Sequence, residues 1–129
     1  MSLLALLATA LLFGGMTLFS FGFAVLLFKI TPQAEARRLI RASFPYYYLW
    51  VIGMAGLTAL LALAVSLPVA LACAAIAATT LWARQSLMGR INAATDSGDT
   101  GGFKRLHGLS VILQLLQIGL AGGALVALS

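Results

Sequence analysis

Residues 42–83 read ASFPYYYLWVIGMAGLTALLALAVSLPVALACAAIAATTLWA, 42 positions without one Asp, Glu, Lys or Arg. A helix needs about 20 predominantly apolar residues to cross the hydrocarbon core of a bilayer. The stretch is therefore two spans rather than one. Ser66-Leu67-Pro68 falls between them, and proline starts helices well and continues them badly. This places spans at 44–65 and 68–88. The same rule extends outward: residues 3–28 carry no charge, and residues 107–128 carry only His107. The chain thus has four spans, at about 3–28, 44–65, 68–88 and 107–128, joined by segments 29–43 and 89–106. Four helices satisfy their own backbone hydrogen bonds in lipid, so the expected fold is all-α, an integral membrane four-helix bundle.

Composition gives the same answer. Of 129 residues, 62% are apolar and 9% are charged, against about 25% charged in a soluble domain. Intrinsic disorder needs low hydrophobicity and is excluded. A cleaved signal peptide needs a basic start and a short apolar region; residues 1–24 have neither, so the first span is read as a retained helix. The single cysteine, Cys73, has no partner for an intrachain disulfide.

The net charge of +5 is gathered in two windows. Lys29, Glu35, Arg37, Arg38 and Arg41 occupy the first; Arg84, Arg90, Asp96, Asp99, Lys104 and Arg105 occupy the second. Basic residues beside apolar runs suit the anionic headgroups of a lipid bilayer and not a nucleic acid, which needs an ordered basic face. The positive-inside rule puts both windows in the cytoplasm and both termini on the outer side. Phe44, Tyr46, Tyr47, Tyr48 and Trp50 are then expected to form an aromatic belt where span two begins. The first connection reads as a short surface helix capped by Thr31, with Pro32 at its first position and Pro45 ending it; it is either an interfacial amphipathic helix or a solvated linker with a hydrophobic anchor. Residues 95–102, TDSGDTGG, read as a turn-rich connection.

Span four carries the clearest polar pattern. His107, Ser110, Gln114 and Gln117 are spaced 3, 4 and 3 apart. At 100° per residue they share one stripe roughly 80° wide. Such a stripe faces protein or a water-filled cavity, as interhelical glue or as a binding path. Counted from the basic side, Gln114 and Gln117 lie at the depth of Ser20 and Thr17, near mid-membrane. These two pairs are expected to join spans one and four. Gly14, Gly22, Gly53, Gly56, Gly119 and Gly123 offer close helix approach, expected mainly within the chain. No catalytic set, phosphate-binding glycine loop or zinc ligand cluster is visible, and no cofactor is expected.

Two groups of residues carry a family resemblance: Gly89-Arg90-Ile91-Asn92-Ala93-Ala94-Thr95-Asp96 with Phe103-Lys104-Arg105-Leu106-His107-Gly108-Leu109-Ser110, and Gly14-Gly15-Met16-Thr17-Leu18-Phe19-Ser20-Phe21 with Phe44-Pro45-Tyr46-Tyr47-Tyr48. Together they resemble a bacterial four-span membrane family of unknown function, similar to the eukaryotic transmembrane protein 205, which is linked to platinum-drug resistance. The resemblance covers nearly the whole chain. It implies the four-span topology, a bacterial inner membrane, and a polar cluster of Arg90, Asn92, Asp96, His107 and Ser110. In that cluster Asp96 would accept from His107 or Lys104, and Asn92 would cap backbone. Gln114 stands where the family's Leu-His-x-x-Ser-x-x-x-Asn run has Asn. The expected function is that of a non-enzymatic accessory or interaction protein, in a larger complex or self-associated. The alternatives are a solute or metal resistance factor acting as an oligomer, and a haem or redox subunit using His107.

Overall fold

A computed structural model describes residues 2–129. Four long helices make up the fold: α1 (Leu3–Ile30), α2 (Gln33–Ala62), α3 (Leu67–Asp96) and α4 (Thr100–Leu128), each long and apolar enough to cross a membrane. No strand occurs among the described residues. This is the architecture of a multi-pass membrane protein. Each helix packs on its sequence neighbours, and α4 closes the ring on α1. With short turns between them the helices alternate in direction. The C-terminal ends of α1 and α3 therefore meet the N-terminal ends of α2 and α4, and every charged residue lies toward that one end.

The turns have local causes. Pro32 sits at φ −55°, ψ 147°, and Thr31 before it at φ −126°, ψ 156°. The residue before a proline is pushed out of the helical region, so α1 stops there. Thr31 does not cap α2; its hydroxyl donates to the Leu27 carbonyl and closes α1. Ser66 caps α3, accepting from the Val69 N–H at 3.4 Å, with Pro68 in the first turn. At the third turn Gly98 takes φ +72°, a conformation that costs glycine little. Asp99 then caps α4, accepting from the Gly102 N–H at 3.0 Å.

The segments read as loops are mostly helix. Pro45 does not end a surface helix; it lies inside the continuous α2. Proline removes one backbone bond, and neighbouring groups make that tolerable in membrane helices. The bond lost is the one to the Arg41 carbonyl, four residues back; the Arg84 Nε donates to the Pro45 carbonyl itself at 3.3 Å and so ties α3 to α2 at this level. Arg84 itself sits in a π-helical turn of α3, Ala83–Leu87. A second π-helical turn, Leu18–Phe23, interrupts α1.

The core is built from Leu12, Met16, Val51, Ile76, Leu87 and Ala121, with Tyr47 and Tyr48. Thus the expected aromatic belt divides. Tyr46 is 76% exposed, whereas Tyr47 and Tyr48 are each 8% exposed. Helical phase turns consecutive tyrosines in different directions, and only the outer ones face lipid. Phe19 stacks on Tyr47 with centroids 4.0 Å apart, and Phe44 meets both rings edge-on. A second cluster of Ala62, Val69, Ala70, Cys73 and Ala124 fills the opposite end.

Close helix approach uses different glycines from those expected. Gly14, Gly53, Gly56, Gly119 and Gly123 have open space where a Cβ would sit, and Gly22 meets only Leu18 of its own helix. The tight contacts fall on Gly15, under the ring of Trp50, and on Gly122, against Phe13.

A candidate ligand-binding cleft at the basic end

The part of α1 before its π-helical turn packs closely on α4, but past that turn the two helices part. A π-helical turn shifts the phase of the helix beyond it by about one residue, roughly 100°. The result is a cleft of about 1050 Å³ between the ends of α1 and α4, backed by α2 and α3. That is at the upper end of the roughly 300–1,000 Å³ usual for small-molecule sites. Its walls are apolar, with Phe28, Ile40, Phe44, Ile91 and Val111 among them. Ser20, Gln114 and Ile118 lie at the deep end, and Arg37, Arg38, Arg41, Lys104 and His107 at the mouth.

The deep end has a fixed polarity. The Ser20 hydroxyl donates to the Met16 carbonyl at 2.8 Å, so its oxygen is left to accept. Gln114 supplies the donor, its Nε2 bonding Ser20 Oγ and also Tyr47 Oη at 3.1 Å. Both donors of the amide are thereby spent, which leaves its carbonyl oxygen as the group offered to the cleft.

At the mouth, two cations are neutralised within the chain. Arg41 makes a two-pronged bond to Asp96, 2.8 and 3.0 Å, tying α2 to the end of α3. Arg38 pairs with Glu35 one turn away. Arg37 and Lys104 have no acidic partner among the described residues. The Arg41 hydrogen bond holds the Asp96 carboxyl below the ordinary carboxylate range, and Arg38 does the same to Glu35. A depressed acid stabilises the fold above its unfolded value, about 3.9 for Asp. That contribution disappears as pH falls through the lower folded value. Both groups are exposed, so the effect is small and screened by salt. A double-mutant cycle of Arg41→Gln and Asp96→Asn in thermal unfolding is expected to show favourable coupling at pH 7 in low salt. The coupling should vanish at pH 2; coupling unchanged there would mean that the bridge does not form.

The structure does not gather the expected site residues in one place. Ser20, Asn92, His107 and Gln114 line the cleft. Asp96 holds its back wall through Arg41, and not, as the resemblance implied, through His107 or Lys104. The arginine on α2 reaches it first because the α2 helix continues where a loop was expected. Asn92 caps no backbone group; it is half-buried in the cleft wall. His107 stacks on Phe103 with centroids 5.3 Å apart.

Gln117 forms a separate node. It is 6% exposed and donates to Thr79 Oγ1 at 2.8 Å and Thr80 Oγ1 at 2.9 Å. It therefore joins α4 to α3, not to Thr17 on α1 as depth suggested. Three residues beyond Gln114 on a helix, its side chain points about 60° away, enough to change neighbours. The Thr17 and Ser110 hydroxyls are spent on their own helix, on the Phe13 and His107 carbonyls at 2.8 and 2.7 Å. Arg90 is exposed outside the cleft. Sequence reasoning missed Phe19, Lys104 and Tyr47 as cleft or floor residues. The periodicity of one helix gives no information about which neighbour it meets. No group of three His, Cys, Asp or Glu able to hold a metal ion comes together among the described residues.

The profile of a domain of unknown function (DUF4149) matches residues 7–100, which takes in α1, α2, α3 and the start of α4. No curated protein and no solved structure matches the chain.

Proposed function

The chain belongs to the DUF4149 family, and we propose that it is a non-enzymatic membrane protein that binds a small, largely apolar ligand in the basic-end cleft, as an accessory or interaction protein. One observation carries this reading: the fold opens a large apolar-walled cleft around an amide whose orientation is fixed by Ser20 and Tyr47. Preformed apolar cavities with a few placed polar groups are the usual form of ligand sites. The site offers neither a nucleophile next to a base nor paired carboxylates, the arrangements that acyl transfer and hydrolysis need. The reading puts the protein in a bacterial inner membrane, with the basic end in the cytoplasm and both termini outside, because basic residues are retained on the cytoplasmic side.

Filling the cleft tests it. Protein purified in a mild neutral detergent is expected to retain a small molecule, identified by native mass spectrometry. Val111→Trp, in the cleft wall, should lose it; Leu109→Trp, on the exposed side of α4, should keep it. Retention by both variants, or by neither the variants nor the native chain, overturns the reading. Orientation is tested separately on a Cys73→Ser background. A cysteine replacing Ser129 should react with an impermeant maleimide on intact cells, and one replacing Ser97 should not. The reverse pattern overturns the orientation.

A further inference from the structure

Resting on that reading of the cleft, we propose that its ligand is an anionic amphiphile: a phosphate-class headgroup held at the mouth between Arg37 and Lys104, with an alkyl chain running inward between α1 and α4.

The charge at the mouth selects the headgroup. Of the cations there, Arg38 and Arg41 are already neutralised by Glu35 and Asp96. Arg37 on α2 and Lys104 on α4 have no acidic partner among the described residues and line the mouth from two different helices. The one acid in the lining, Asp99, is committed to capping the Gly102 N–H at 3.0 Å. The cleft thus presents two unspent cations from two helices, which suits a phosphate. Arginine offers it a planar fork of donors and lysine a point charge.

The deep end selects the orientation. Gln114 gives both amide donors to Ser20 and Tyr47 and presents an acceptor oxygen. An anion placed there would meet the Gln114 lone pair and lie far from the two free cations, so the headgroup belongs at the mouth. Lys104 and Gln114 are ten residues apart on one helix, about 15 Å of axial rise. That depth is walled by Ile40, Phe44, Phe103, Val111 and Ile118 and takes a chain, not a second charged group. Phe21, Phe28, Val111 and Leu115 border the gap between α1 and α4 and are also exposed on the outside of the bundle. An alkyl chain can therefore slide in sideways from the bilayer while its headgroup stays at the interface.

Three probes separate chain from charge. Dodecyl phosphate carries both, dodecylphosphocholine has the same chain with its charge balanced, and inorganic phosphate has the charge without a chain. Affinities are read from the shift of the thermal midpoint of the full chain in a neutral maltoside detergent. Dodecyl phosphate is expected to bind at least tenfold tighter than dodecylphosphocholine, and inorganic phosphate to give no shift. Arg37→Gln combined with Lys104→Gln should erase that preference without weakening dodecylphosphocholine. Arg105→Gln, a nearby exposed cation outside the lining, should leave it intact. Equal affinity for the two chain probes, or a preference that survives the double variant, overturns the anionic assignment while the apolar cleft stands. Binding of inorganic phosphate as tight as that of dodecyl phosphate overturns the amphiphile in favour of a free anion. Failure of both chain probes to bind the native chain overturns the cleft reading itself, and this inference with it.

Discussion

Replacing Gly15 by leucine is expected to destabilise the bundle by about 1–3 kcal/mol or more, the range for forcing extra volume into a packed site. The cause is a single contact. A Cβ at Gly15 would fall 2.0 Å from the Trp50 ring and 2.5 Å from its next carbon. Real atoms do not approach so closely, so the indole must leave its place between α1 and α2. Gly14→Leu is the matched control, because a Cβ there meets nothing within 4 Å. Thermal unfolding in detergent should show a large drop in midpoint for Gly15→Leu and little change for Gly14→Leu. Trp50→Ala should rescue part of the loss, since it removes the clashing ring. Equal effects at the two glycines would mean that α1 and α2 do not meet in this register.

A carboxylate in place of Gln117 is expected to cost of order 2–3 kcal/mol at neutral pH, the scale for an acid at the centre of a membrane helix. Gln117 is buried and gives its two amide protons to Thr79 and Thr80. Glutamate keeps the shape and replaces those donors with acceptors. The Thr79 hydroxyl already donates to the Ala75 carbonyl at 2.7 Å, so it has no proton to turn toward the new charge, and Thr80 alone can offer one. Gln117→Leu removes the bonds without adding a charge and should cost about 1 kcal/mol or less, as interhelical hydrogen bonds in membranes do. The ordering is the test. If the glutamate variant were as stable as the leucine variant, the position would face water, and the α3–α4 node would be wrong.

Much of the fold was legible because the membrane imposes it. The charge-free run at 42–83 forced two helices, and Ser66 and Pro68 marked where the second begins. The depth count from the charged ends brought Gln114 to Ser20 across 94 residues of chain. What was not legible depends on neighbours. Pro45 looks like a helix end in isolation, but α2 runs on through it while packed along α3. Tyr47 and Tyr48 look like interfacial residues by composition, but the phase of α2 turns them inward. The pairing of Asp96 with Arg41 depends on α2 running unbroken through Pro45, which the sequence of that helix alone does not reveal. Neither π-helical turn contains a proline, and their polar residues, Ser20 in one and Arg84, Gln85 and Ser86 in the other, do not distinguish such a turn from regular helix; the cleft opens beyond the one in α1.

The two ties between α2 and α3, Arg41 to Asp96 and Arg84 to the Pro45 carbonyl, have a mechanical consequence. Both lie on the basic half of the hairpin, close to the proline that weakens α2 there. They splint the softened stretch against its neighbour, so these two helices form one fixed back to the cleft. Past its widened turn α1 has no ion pair to another helix among the described residues. The width of the gap between α1 and α4 therefore rests on packing and on the Ser20–Gln114 bond, with no ion pair to break.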